Sequence, residues 1–122
     1  MTILRDPETK RFRMWYGHRT EAFDTGRSHV ALIESEDGIH WQRPARVLKD
    51  PAPIQFGVSV LDEGPELQPA SHRFRLAWYM AGGMKLAASP EGIDWTPLGP
   101  DALLYHNHDI DSLAFDVLPP DR

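Results

Sequence analysis

Apolar and polar positions along the chain alternate in short bursts, and no segment holds a 3.6-residue apolar period for more than a few turns. Gly, Pro and Asp separate the bursts, so the pattern predicts an all-β protein. In "RFRMWYG" (residues 11–17) the alternation places Phe12, Met14 and Tyr16 on one face of a strand. In "RFRLAWYM" (residues 73–80) it places Phe74, Leu76 and Trp78 on the matching face. The two segments read as one strand used twice.

The duplication has a constant period downstream. Ser35 and Ser89, Gly38 and Gly92, and Trp41 and Trp95 are each 54 residues apart. Upstream, residues 2–16 parallel residues 59–79, and "SLAFDVLPPDR" (residues 112–122) reads as the start of a third copy. Each unit predicts a strand, a turn, an aromatic strand, a loop, an apolar strand, an Asp-Gly-type turn and a strand beginning at Trp. Four antiparallel strands in about fifty residues is the period of a β-propeller blade. The expected organisation is therefore a first blade over residues 1–48, a second over 49–105, and a link with the opening strand of an incomplete third over 106–122. A two-sheet sandwich predicts neither equal units nor repeated Trp positions.

The repeated motif, "SEDGIHW" (residues 35–41) and "SPEGIDW" (residues 89–95), has a structural reading at every position. Gly38 and Gly92 suit a tight hairpin that needs positive φ. Ser35 and Ser89 can bond turn backbone groups, and the Trp three residues after each Gly suits packing between sheets. Asp37, Glu91 and Asp94 are acidic, but the two copies differ at those positions and hairpin turns account for the acids, so the motif is read as a turn and not as a catalytic pair.

Composition narrows the function classes. The 122 residues suffice for one ordinary domain, and 41% hydrophobic with 25% charged residues is a globular composition. Net charge is −5 and the 13 Lys and Arg are scattered, which argues against nucleic acid or an anionic membrane as partner. The absence of Cys excludes thiol chemistry and disulfides. No run approaches the roughly 18 apolar residues of a membrane span, and residues 1–11 lack the pattern of a signal peptide, so a cytoplasmic location is expected of the chain as written.

Strand direction then says where chemistry belongs. In a four-stranded antiparallel unit the third connection lies on the same rim as the first, so the Asp-Gly turns mark one rim. The second connections and the inter-unit links mark the other. That second rim carries residues 17–29, 80–84, 49–59 and 104–112. Its first loop is the longer, since Phe12 and Ser35 are 23 apart and Phe74 and Ser89 only 15. There Arg19, Glu21, Asp24 and Arg27 are candidates for hydrogen bonding sugar hydroxyls. "HNHDIDS" (residues 106–112) is the densest polar cluster and leads into an innermost strand, with Asp109 and Asp111 on one parity and His106 and His108 placed as substrate-binding candidates. Paired carboxylates suit glycosidic chemistry, one protonating the leaving oxygen while the other activates water or attacks carbon. In an extended segment the two His and two Asp do not converge, so no metal and no cofactor is expected.

The segments "DPETKRFRMWYG", "ALIESEDGIHW", "RFRLAWYM" and "LAASPEGIDW" resemble the five-bladed β-propeller glycosidases of the arabinanase, fructosidase and mannoside-phosphorylase type. The turns themselves are similar to the Asp-box turns of sialidases. The resemblance implies acidic residues around a central funnel, at the starts of innermost strands from different blades, a location that Asp109 and Asp111 match. It implies a glycan as partner and glycoside hydrolase-like activity, with no residue here matched to the family's general acid. The alternative is a non-catalytic sugar-binding or protein-interaction module. Five blades need about two and a half times this length. A fragment, or a protomer that self-associates through open blade edges, is therefore expected.

Overall fold

A computed structural model describes residues 1–18, 29–45, 49, 56–80, 82–100, 102–105 and 112–115. The described residues form antiparallel sheets, none closed on itself, with no α-helix. The first sheet is β1 (Thr2–Arg5), β2 (Phe12–His18) and β3 (His29–Ser35), in that order. The second contains β4 (Phe56–Asp62), β5 (Phe74–Met80), β6 (Gly83–Ser89) and β7 (Thr96–Pro97), again in chain order, with β8 (Leu104–Tyr105) also paired to β6. β7 and β8 meet opposite ends of β6, at Ala87–Ala88 and Gly83–Met84 respectively, so they are one edge strand split around Gly99 and Pro100. Pro has no N–H for the ladder, which accounts for the break.

The two sheets share one register. Phe12 faces Ser35 and Phe74 faces Ser89, and the six residue pairs that follow on β2–β3 and β5–β6 stay in step. The first turn is closed by the Asp6 N–H to the Arg11 carbonyl, and its counterpart by the Glu63 N–H to the Arg73 carbonyl, both 2.9 Å. The second of these turns is five residues longer and uses them for a short 3-10 helix, Ala70–His72. At the other connection Glu34 and Gln42 exchange two 2.8 Å backbone bonds, and Ala88 pairs with Thr96, the same positions 54 residues on.

The sequence pattern predicted the strand faces correctly. Phe74, Leu76 and Trp78 point into the core with Val58, Val60 and Ala87. What covers them is the opposite face of the first sheet, carrying Trp15, Val30 and Leu32. Arg13 lies on that covering face and is only 9% exposed. Its guanidinium sits 4.8 Å from the Trp15 ring centroid and 5.3 Å from that of Phe74, a cation held between two aromatic faces. Arg13 Nη2 donates to the Glu91 carbonyl at 2.7 Å, and Trp15 Nε1 donates to the Gly92 carbonyl at 2.8 Å. Glu34, opposite Arg13 across the strands, brings a carboxylate to 3.3 Å from Nε, which opposes the effect of burial on the guanidinium.

The sheets also meet along their leading strands. The Val60 N–H donates to Thr2 Oγ1 at 3.0 Å, and the Leu113 N–H donates to Ser59 Oγ at 2.8 Å. Leu113 thus stands to β4 as β4 stands to β1, through the hydroxyl of the equivalent residue.

Gly92 has φ +73° and an added Cβ would lie 2.8 Å from Trp15 Cζ2, whereas at Gly38, with φ +77°, the nearest atom would be Phe12 Cδ2 at 3.7 Å. Gly38→Ala is expected to cost about 1 kcal/mol through left-handed backbone strain alone. Gly92→Ala should cost about 1–3 kcal/mol more, because it also overpacks the interface. Urea unfolding of the two variants measures the difference, and equal destabilisation would contradict the packing described.

Candidate functional site

Ser35 Oγ accepts the Gly38 N–H at 2.9 Å and the Asp37 N–H at 3.3 Å. Ser89 Oγ does the same for Gly92 at 2.9 Å and Glu91 at 3.4 Å. The sequence predicted these Ser bonds and the positive φ at both Gly. It predicted too tight a hairpin, because residues 35–41 all lie between the paired Glu34 and Gln42. Side-chain bonds replace the missing ladder: Asp37 Oδ1 accepts the Ile39 and His40 N–H groups, both at 2.8 Å, and Oδ2 lies 2.7 Å from His40 Nδ1. The His40 side chain first, then the His40 and Ile39 N–H groups, hold the Asp37 carboxyl well below the usual carboxylate range. A carboxyl so depressed is a structural acceptor and not a proton donor near neutrality.

Other described carboxylates on this rim are similarly engaged. Asp62 takes Arg73 through both oxygens, at 2.8 and 3.0 Å, and this bonding raises the Arg73 pKa further. Glu8 lies 3.3 Å from the same guanidinium, and Glu63 accepts Arg75 Nε at 2.7 Å. Asp6 Oδ1 caps the Glu8 and Thr9 N–H groups at 2.8 and 2.9 Å. A polar cleft of about 180 Å³ beside the first turn is lined by Arg11, Glu34, Glu36, Asp37, His40 and Gln42, of which Glu34 pairs with Arg11 and Arg13 and Asp37 with His40. Among the described residues no group of three or more His, Asp or Glu is arranged to hold a metal ion.

The opposite rim holds the ends of β2 and β3, where His18 pairs with His29, and those of β5 and β6, where Met80 pairs with Gly83. Tyr105 ends β8 opposite Gly83. The register therefore puts the ends of β2, β5 and β8 on the rim away from the Asp-Gly turns, and in sequence the predicted site residues come after His18 or after Tyr105. The residues themselves, Arg19, Glu21, Asp24, Arg27, His106, His108, Asp109 and Asp111, lie outside the described residues. The buried polar groups that sequence reasoning missed are Arg13 and the indole of Trp15. An Arg and a Trp at alternate positions on one strand face were the available signal.

The described fold is thus that of an all-β protein built from two antiparallel sheets of matching register. The chain is similar, at 30% identity over 110 residues, to two uncharacterized proteins of Mycobacterium tuberculosis, one from strain CDC 1551 and one from strain H37Rv. In each case the match covers 81% of this chain and 33% of the relative, so the chain spans about a third of the length of the curated relatives it matches. No family model and no solved structure matches the chain. Among the described residues no helix is long and apolar enough to cross a membrane.

A depressed Asp37 pKa fixes the sign of an acid effect. The native turn takes up a proton less readily than the unfolded chain does. Its stabilisation is therefore complete above the ordinary carboxylate pKa of about 4 and is lost as pH falls through the lower native value. Asp37→Asn should lower the unfolding temperature at neutral pH and narrow the gap from wild type below about pH 3. Thermal unfolding across a pH series checks this; a gap independent of pH would remove the charge argument.

Proposed function

We propose that this chain is a portion of a carbohydrate-active β-propeller with glycoside hydrolase-like chemistry, each sheet being one blade. The observation that carries the reading is the repeated junction between leading strands, Val60 N–H to Thr2 Oγ1 and Leu113 N–H to Ser59 Oγ. A sandwich places two sheets face to face once, whereas here a third segment meets the second sheet as the second meets the first. The relatives' length agrees, because a chain three times as long has room for about five or six units of this period.

In this reading the leading strands surround the axis and the rim away from the Asp-Gly turns forms the funnel. On the turn rim Asp62 and Glu63 serve Arg partners and Asp6 caps backbone N–H groups, which supports seeking the acid-base pair at the other rim. Asp109 and Asp111 are assigned the acid, base or orienting roles, one donating a proton to the glycosidic oxygen and the other directing water or attacking the anomeric carbon. His106, His108, Arg19, Glu21, Asp24 and Arg27 are assigned to hydrogen bonds with the glycan.

The test is cleavage of arabino-, fructo- and manno-oligosaccharides by the assembled protein. Asp109→Asn and Asp111→Asn should each lower turnover about 100-fold or more while leaving the unfolding temperature unchanged. Unchanged turnover in both variants would overturn the assignment, and saturable glycan binding without cleavage would identify a sugar-binding module instead.

A further inference from the structure

The two turns have the same sequence pattern and the same register but opposite surroundings. Ile93 is 9% exposed and Trp95 is buried, because Arg13 and Trp15 of the first sheet close over them. Ile39, the equivalent of Ile93, is 75% exposed, and Trp41 is only half-buried. The contrast continues along the sheets. Val60, Phe74, Leu76 and Ala87 are buried, while their counterparts Ile3, Phe12, Met14 and Ile33 are not, with Ile3 47% exposed.

The hydrogen bonds change with the covering. Where the first sheet docks, the Gly92 carbonyl accepts Trp15 Nε1, and Trp95 Nε1 is left buried without a partner. Where no sheet docks, Trp41 Nε1 folds back onto the Gly38 carbonyl of its own turn at 3.1 Å. The first turn is thus the second turn with its acceptor occupied from within.

We propose that the face carrying Ile3, Phe12, Met14, Ile33 and Ile39, with the Asp37–Gly38 turn, is a docking surface for a further unit of this repeat class. Such a partner presents Arg and Trp two residues apart on one face of a strand. The argument is continuity with the interface already formed. There an Arg-x-Trp strand donates its guanidinium and indole to the two carbonyls of the turn and lays both groups against Phe74, the counterpart of Phe12. A second copy of this chain does not meet the requirement. Its Arg13 and Trp15 are engaged internally, and the matching face of its second sheet has Ala77 where the indole is needed. The inference rests on the repeat geometry and is independent of glycan chemistry.

The probe is a peptide of the sequence of residues 2–17, cyclised to hold its hairpin, titrated into the isotope-labelled full chain. Binding should shift the Gly38 and Ile39 amide resonances by about 1 mM peptide. A peptide with Trp15→Ala should bind at least about tenfold more weakly, since it loses the indole donor and its area. Ile39→Asp in the full chain, at an exposed position, should abolish the shifts without lowering the unfolding temperature. Equal shifts with the two peptides, or none at that concentration, would overturn the proposal. So would self-association of the full chain in sedimentation that is relieved by Ile39→Asp, because the occupant would then be a second copy.

Discussion

The rest of the fold depends on the two backbone carbonyls of Glu91 and Gly92 finding donors away from water. A turn with Gly at positive φ directs peptide groups out of the strand ladder, and a buried carbonyl without a donor costs about 1–3 kcal/mol. The first sheet supplies both donors from one strand face, Arg13 to Glu91 and Trp15 to Gly92. The same side chains bring large apolar surfaces with them, so polar satisfaction and burial occur in a single contact. A three-stranded sheet needs its apolar face covered to gain from it. Joined through this contact, the sheets share a core of Trp15, Val30, Leu32, Val60, Leu76, Trp78 and Ile93.

That contact also explains a local defect. Trp95 stands where Trp41 stands in the first unit, yet its indole N–H is buried without a partner, and the carbonyl equivalent to the one Trp41 uses accepts Trp15 instead. The cost of one unpaired donor is offset by the docking of a whole sheet, and the second turn accepts a worse internal arrangement for a better external one. A repeat unit is therefore not a fixed object. The two turns are hydrogen-bonded differently, the Gly38 carbonyl from within its own turn and the Gly92 carbonyl from the neighbouring sheet.

Strand parity, the turn serines, the positive φ at both Gly and the separation of the two rims were legible because each depends on a residue and its near neighbours in sequence. The width of the turn was not, since Asp37 and His40 build it through side-chain bonds that turn propensity does not encode. The split of the last strand around Pro100 was visible only once its partner β6 was known. Burial was least legible of all: Arg13 reads as a solvent-facing charge until Trp15, Phe74 and Glu34 are placed around it. Ile39 and Ile93, equivalent in sequence, differ in exposure from 75% to 9% for a reason outside either motif. For the candidate site, the sequence indicated a rim and a set of residue types, and those residues lie outside the described ones.

Repeat proteins need an end unit whose outer face tolerates water, and that face is ordinarily polar. The outer face of the first sheet is not of this kind. Ile3, Phe12, Met14, Tyr16 and Ile33 lie on one side of three adjacent strands, in register with the residues that fill the core beneath the second unit. The core shared with the second sheet does not use them, because the core-facing positions of the first sheet are Trp15, Val30 and Leu32 on the other side. An apolar face kept on a sheet that does not need it for its own core has the composition of an interior unit. The charge pairs leave it uncluttered: Arg13 and Glu34 point to the covered face, and Arg5 at its border stacks 5.5 Å over the Phe12 ring. The first unit is therefore built, in sequence and in structure, to be covered as the second one is.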